Sequence, residues 1–118
     1  MKEADLIVTF GGDGTIIKLS HHVGYKPIPV LTVNLGNLGL LTEVQNPENT
    51  LDALKHIFNN RYHLDIRTLL RATIYRKGKK VKTFLALNEI VINQGNFARL
   101  IDLEAKMNQR KMVRFRAD

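Results

Sequence analysis

The run Ile7-Val8-Thr9-Phe10-Gly11-Gly12-Asp13-Gly14-Thr15 constrains this chain more than any other, because an apolar strand breaks there into a glycine-rich turn with one carboxylate at its centre. Consecutive glycines let a backbone curve tightly and bring its N–H groups up to an anionic ligand with no Cβ in the way. Ile16 to His22 can continue as a helix whose N-terminal dipole points at the same spot. The plainer explanation is a tight strand-to-helix connection in which Asp13 caps the helix. A connection alone seldom needs three glycines in four residues. A carboxylate also repels phosphate, so an aspartate inside a phosphate cradle must face a cation or a hydroxyl proton.

Two further segments carry chemistry-bearing residues. Pro29 to Thr42 is a second apolar strand that runs into spaced glycines and an amide side chain, with Asn34, Gly36, Asn37 and Gly39 in succession. Alone it reads as a buried parallel strand followed by a loop. In Ala86-Leu87-Asn88-Glu89-Ile90-Val91-Ile92-Asn93, two polar residues interrupt a β-rich apolar run. On a regular strand Asn88 and Glu89 point to opposite faces, so at least one faces a core or cleft; an edge strand or a bulge accounts for the pair equally well.

In this order and spacing the three segments resemble the NAD kinase family, which phosphorylates the adenosine-ribose 2′-hydroxyl of NAD to make NADP. GGDGT at Gly11 to Thr15 is similar to the family's first signature, NLGNLGLLT at Asn34 to Thr42 to its second glycine-rich loop, and LNEIVI at Leu87 to Ile92 to its Asn-Glu motif. Leu40 stands where a phenylalanine is more usual. Diacylglycerol and sphingosine kinases and 6-phosphofructokinases share a GGDGT-like turn. The lipid kinases continue with a Gly-Thr-x-Asn-type loop, however, and the phosphofructokinases lack LNEIVI at this distance. The resemblance spans nearly the whole chain, but the family's signature G-L-x-x-S-T-P-T-G-S-T-A-Y should begin just after Ala117-Asp118, and a strand and helix should precede Asp5. It therefore implies a chain truncated at both ends and inactive alone.

Hydrophobic periodicity gives strand 5–10, helix 14–22 and strand 29–34, a β-α-β unit of an open parallel sheet whose ligands bind at the carboxyl ends of the strands, where Asp13 and Asn34 fall. Pro47-Glu48-Asn49-Thr50 opens a second helix with Leu51, Leu54, Ile57 and Phe58 on one face, and Asn59-Asn60 closes it. From Tyr62 the pattern turns β-rich, with strands expected at 63–76, 81–92, 99–107 and 111–117. The change of period divides the chain into residues 1–61 and 62–118; the resemblance implies that the first is a partial α/β phosphate-binding domain of incomplete Rossmann-like type and the second the beginning of an all-β, NAD-binding domain. The family is similar in placing its active site between two such domains. Unpaired strand edges make aggregation of the isolated chain an expected hazard.

With no cysteine, disulfides and thiolate metal sites are excluded. Met1 to Asp5 carries two acids and no long apolar run follows, so neither a signal peptide nor a membrane span is expected and the location is read as cytoplasmic. The net charge of +7 is lopsided, since residues 1–62 hold five Lys/Arg against six Asp/Glu and residues 63–118 hold thirteen against five. Arg76-Lys77-Gly78-Lys79-Lys80 reads as a solvated hairpin tip without interleaved aromatics, so nucleic acid is not an expected partner. The positive field suits polyanionic substrates. His21, His22, His56 and His63 show no metal-ligand spacing, and no protein ligand for a metal is assigned.

Phosphoryl transfer to a hydroxyl depends on positioning, on cations that screen the phosphates and on removal of the hydroxyl proton. Asp13, ionised at neutral pH, is the candidate general base, a role the resemblance also implies. Gly11, Gly12, Gly14 and Thr15 would hold phosphate, with Mg²⁺ or another divalent cation riding mainly on the oxygens of ATP. The resemblance implies that Asn34, Asn88, Glu89 and Asp118 bind the dinucleotide, with Asn88 and Glu89 on a sugar diol and Asp118 near the nicotinamide. It further implies ATP or polyphosphate as donor, NAD as acceptor and a homo-oligomer, dimer or tetramer, for the full-length enzyme. A lipid or sugar kinase using the same turn and a non-catalytic nucleotide-binding fragment are the alternatives.

Overall fold

A computed structural model describes residues 4–36, 39–93, 95 and 100–117. Strand β1 (Ile7–Phe10) leads into helix α1 (Asp13–Val23), and strand β2 (Val30–Val33) returns beside β1 in parallel, with Ile7 opposite Val30 and Phe10 opposite Val33. The β-α-β unit is thus as the periodicity and glycines imply. The sheet is extended by one parallel bridge, Val33 to Val44, made as the chain comes back from the second glycine-rich loop.

Alternation along β2 sorts its side chains to the two faces of the sheet. Leu31 and Val33 join Val44 in the core, with Leu6, Val8, Ala53, Leu54 and Ile57 packed against them. Thr32 lines the opposite side with Ile16 and Leu19 of α1. Its buried hydroxyl is satisfied twice, donating to the Leu41 carbonyl (3.4 Å) and accepting from the Glu43 N–H (2.8 Å).

A 3-10 turn at Pro47–Asn49 opens helix α2 (Thr50–Phe58), and Asn46 caps it by accepting from the Glu48 N–H at 3.1 Å. The helix stops at Asn59, followed by Asn60 with φ 55°. Only part of the expected apolar face is used. Leu54 and Ile57 meet the core, whereas Leu51 and Phe58 stay exposed, and Ala53 completes the stripe.

Two antiparallel pairs follow: β3 (Leu70–Arg76) with β4 (Lys79–Ala86), and β5 (Ile101–Met107) with β6 (Arg110–Ala117). Lys77-Gly78 and Asn108-Gln109 form the two tips, all four residues having positive φ, as tight two-residue hairpin turns demand. The expected strands at 63–76 and 81–92 are too long. Residues 61–69 and 87–93 run without regular structure, and pairing begins only at Leu70 and ends at Ala86. Arg71 ties the first hairpin to the end of α1, its Nε donating to the Tyr25 hydroxyl at 3.1 Å. Among the described residues no helix is long and apolar enough to cross a membrane.

Candidate functional site

Both glycine-rich loops leave the carboxyl ends of the parallel strands, β1 into Gly11 to Gly14 and β2 into Asn34 to Thr42. Asp13 joins them. Its Oδ2 accepts the Leu40 N–H at 3.2 Å and its Oδ1 the Leu41 N–H at 3.0 Å, across 27 and 28 residues of chain. The aspartate therefore does not cap its own helix. Gly12 is the N-cap of α1, and no side-chain hydrogen bond caps that end.

The glycines of the first loop divide by what requires them. Gly11 has φ +153°, and a Cβ there would lie 2.8 Å from Thr15 Cβ and collide with its hydroxyl, so packing within the chain demands glycine. At Gly12 and Gly14 a Cβ would meet nothing within 4 Å. The open space over these two leaves a bare backbone beside the uncapped helix start.

The second loop is held from inside. Asn34, 3% exposed, turns its amide inward: Oδ1 accepts the Gly36 N–H at 3.0 Å, and Nδ2 donates to Gln45 Oε1 at 3.2 Å. Gln45 Nε2 reaches the Thr42 carbonyl (2.7 Å), Thr42 Oγ1 (3.1 Å) and the Gly39 carbonyl (3.2 Å). Gly39 sits so close to this cluster that a Cβ would collide with the Thr42 hydroxyl and lie 3.2 Å from Asn34 Cγ. Gly39→Ala in the full-length protein is therefore expected to cost about 1–3 kcal/mol of stability, read as a lower urea midpoint at unchanged slope. An unchanged midpoint would show that the loop yields without strain.

Asn88 and Glu89 are exposed in the irregular stretch after β4. Among the described residues no hydrogen bond links them to Asp13, Asn34 or the second loop. Their neighbour Leu87, however, lines the same cleft, about 300 Å³, as Thr32, Leu41 and Glu43. That brings their segment alongside the loop whose amides bind Asp13. Asp118 lies outside the described residues. Among those residues no group of three or more His, Asp or Glu side chains is placed to hold a metal ion.

Sequence reasoning missed the Leu40 and Leu41 amides and the Gln45 side chain. Every residue except proline carries a backbone N–H, so nothing in the sequence singles out these two. Gln45 follows the glycine-rich segment and looks like an ordinary surface glutamine.

By fold and site the chain is an open parallel α/β unit of Rossmann-like type, continued by antiparallel strand pairs, with its two loops joined at the strands' carboxyl ends. Residues 1–62 match the ATP-NAD kinase N-terminal domain, and the chain belongs to the NAD kinase family. The NAD kinase of Geotalea daltonii is 41% identical over 117 residues, taking in 99% of this chain and 41% of that protein. For the NAD kinase of Citrifermentans bemidjiense the figures are 40% over 116 residues, 98% and 40%. A yeast NADH kinase, solved in complex with NADH, superposes with a TM-score of 0.85 at 28% identity, over 98% of this chain and 34% of that one. The chain thus spans about two-fifths of the length of the curated relatives it matches.

Proposed function

We propose that the full-length protein bearing these residues transfers the γ-phosphoryl group of ATP to the adenosine-ribose 2′-hydroxyl of NAD, giving NADP. The observation that carries this reading is Asp13, the one carboxylate of the first loop, held by two amides of the second at the ligand-binding edge of a parallel sheet. The relatives named NAD kinase and the NADH-bound yeast structure favour a dinucleotide as acceptor.

In this mechanism the ribose 2′-oxygen forms a bond to the γ-phosphorus as the bond from phosphorus to the β–γ bridging oxygen breaks, and ADP leaves. The hydroxyl proton passes to Asp13. Each carboxylate oxygen has two lone pairs, so one amide on each leaves room to accept the hydroxyl. The bare backbone at Gly12 and Gly14 and the start of α1 take the phosphate charge, and Gly11 and Thr15 shape that turn. The divalent cation arrives on the ATP oxygens as part of the substrate. Asn88 and Glu89 hold the acceptor ribose, Asn34 shapes the second loop, and Asp118 is assigned to the nicotinamide end. Residues 1–61 then supply the phosphate-binding part and residues 62–118 part of the NAD-binding domain, in a homo-oligomeric enzyme of the cytoplasm.

The direct test offers the full-length protein ATP and Mg²⁺ with NAD, diacylglycerol or fructose 6-phosphate. NADP formation with neither other product is expected, and turnover of a lipid or sugar in place of NAD overturns the reading. Calorimetric binding of nucleotide without turnover would mark a binding protein instead.

The acceptor assignment has its own consequence. Asn88→Ala or Glu89→Ala should raise the KM for NAD by roughly fivefold to a hundredfold and leave that for ATP nearly unchanged, because an unpaired sugar hydroxyl costs about 1–3 kcal/mol. Equal changes in both constants would assign these residues to folding.

A further inference from the structure

Gln45 uses its whole amide group on one short loop. Its Oε1 accepts from buried Asn34, and its Nε2 hydrogens serve Gly39 and Thr42. A flipped amide would set oxygen against two carbonyls and nitrogen against the Asn34 donor, so the partners fix one orientation. The side chain springs from a rigid base. Val44, just before it, is bonded to β2 in both directions, the Asn34 N–H donating to the Val44 carbonyl (2.8 Å) and the Val44 N–H to the Thr32 carbonyl (2.9 Å).

The Gly39 to Thr42 bend lacks the usual turn hydrogen bond, in which the Thr42 N–H would donate to the Gly39 carbonyl. Gln45 Nε2 gathers both carbonyls, Gly39 and Thr42, instead. Between those two anchored ends lie Leu40 and Leu41, whose N–H groups hold the two oxygens of Asp13.

We propose that Gln45 is a positioning residue of the site: anchored on the sheet through Val44, it closes the 39–42 bend and so aims the Leu40 and Leu41 amides at Asp13. The consequence for catalysis rests on the reading of Asp13 as the base, whereas the consequence for the loop does not. Gln45 is exposed, and the competing expectation is a surface glutamine whose hydrogen bonds water replaces at no cost.

Amide hydrogen exchange in the ligand-free full-length protein separates the two. Gln45→Met keeps the length and removes the polar end, and Gln45→Glu keeps the acceptor for Asn34 but loses both donors. In either variant exchange at Leu40 and Leu41 should quicken by about tenfold or more, while Leu31 and Val33 in β2 stay within about twofold of the parent. Acceleration below about threefold at both loop amides in both variants overturns the proposal, and so does equal acceleration in β2, which would mean a general loosening. Turnover supplies the second readout. Gln45→Met should lower kcat by about tenfold at little-changed KM for NAD, yet by less than about twofold when Asp13 is already asparagine, because it acts through that carboxylate. The same factor in both backgrounds overturns that link. Full turnover of Asp13→Asn alone would instead remove the base reading and leave the exchange result to decide the role of Gln45.

Discussion

Asp13→Asn in the full-length enzyme should lower turnover by about a hundredfold or more while NAD still binds, the size of effect associated with losing a positioned general base. The substitution keeps the shape of the side chain but changes two things at the atoms that matter. It removes the negative oxygen that would take the ribose proton, and it puts an NH₂ group where one of the Leu40 and Leu41 amides now finds an acceptor. One of these two contacts then becomes donor against donor, so the second loop loosens as the base is lost. Both changes act on the chemical step, and neither removes the sugar contacts assigned to Asn88 and Glu89. Turnover should therefore fall while calorimetric NAD affinity stays close to that of the parent. Turnover within a factor of about three of the parent would sink the role.

What could be read from the sequence follows a physical division. The β1–α1–β2 unit was legible because its information is local: alternating and helical periodicity, broken by glycines that few other connections need. His63 to Leu70 also alternates, with Leu64 and Ile66 between polar residues, and this predicts a strand. Yet Ile66 is 90% exposed and the segment is irregular. Periodicity shows which residues could share a face, but a strand also needs a neighbour to bond to, and the pairing of β3 with β4 begins at Leu70. The same holds at Asn88 and Glu89, expected on a strand and found beyond the last pair, Leu70 with Ala86.

At the site the chemistry-bearing types were legible and their partners were not. Asp13 stands out among glycines, but that it reaches 27 and 28 residues along the chain to two backbone amides is decided by the fold. The resemblance implies a dinucleotide contact for Asn34; that its amide also turns to Gly36 and Gln45 is a contact no sequence spacing announces.

The 118-residue chain by itself is expected to form no measurable NADP. Its packing gives the reason. Among the described residues only Val33 is both large and fully buried, and the core proper is Leu31, Val33 and Val44 with a few half-buried neighbours. The described strands form three separate two-stranded sheets, and an isolated two-stranded hairpin is marginally stable in water. Phe84 and Phe115, one on each hairpin, remain two-fifths or more exposed, as do Ile74 and Val113. A chain held this loosely does not fix Asn88 and Glu89 against Asp13, and a displacement of about 1 Å can cost a hundredfold in rate. Amides of β5 and β6 should accordingly exchange much faster in the short chain than in the full-length protein. Robust NADP formation by the purified 118-residue chain, abolished by Asp13→Asn, would show that these elements position both substrates unaided and that the expectation is wrong.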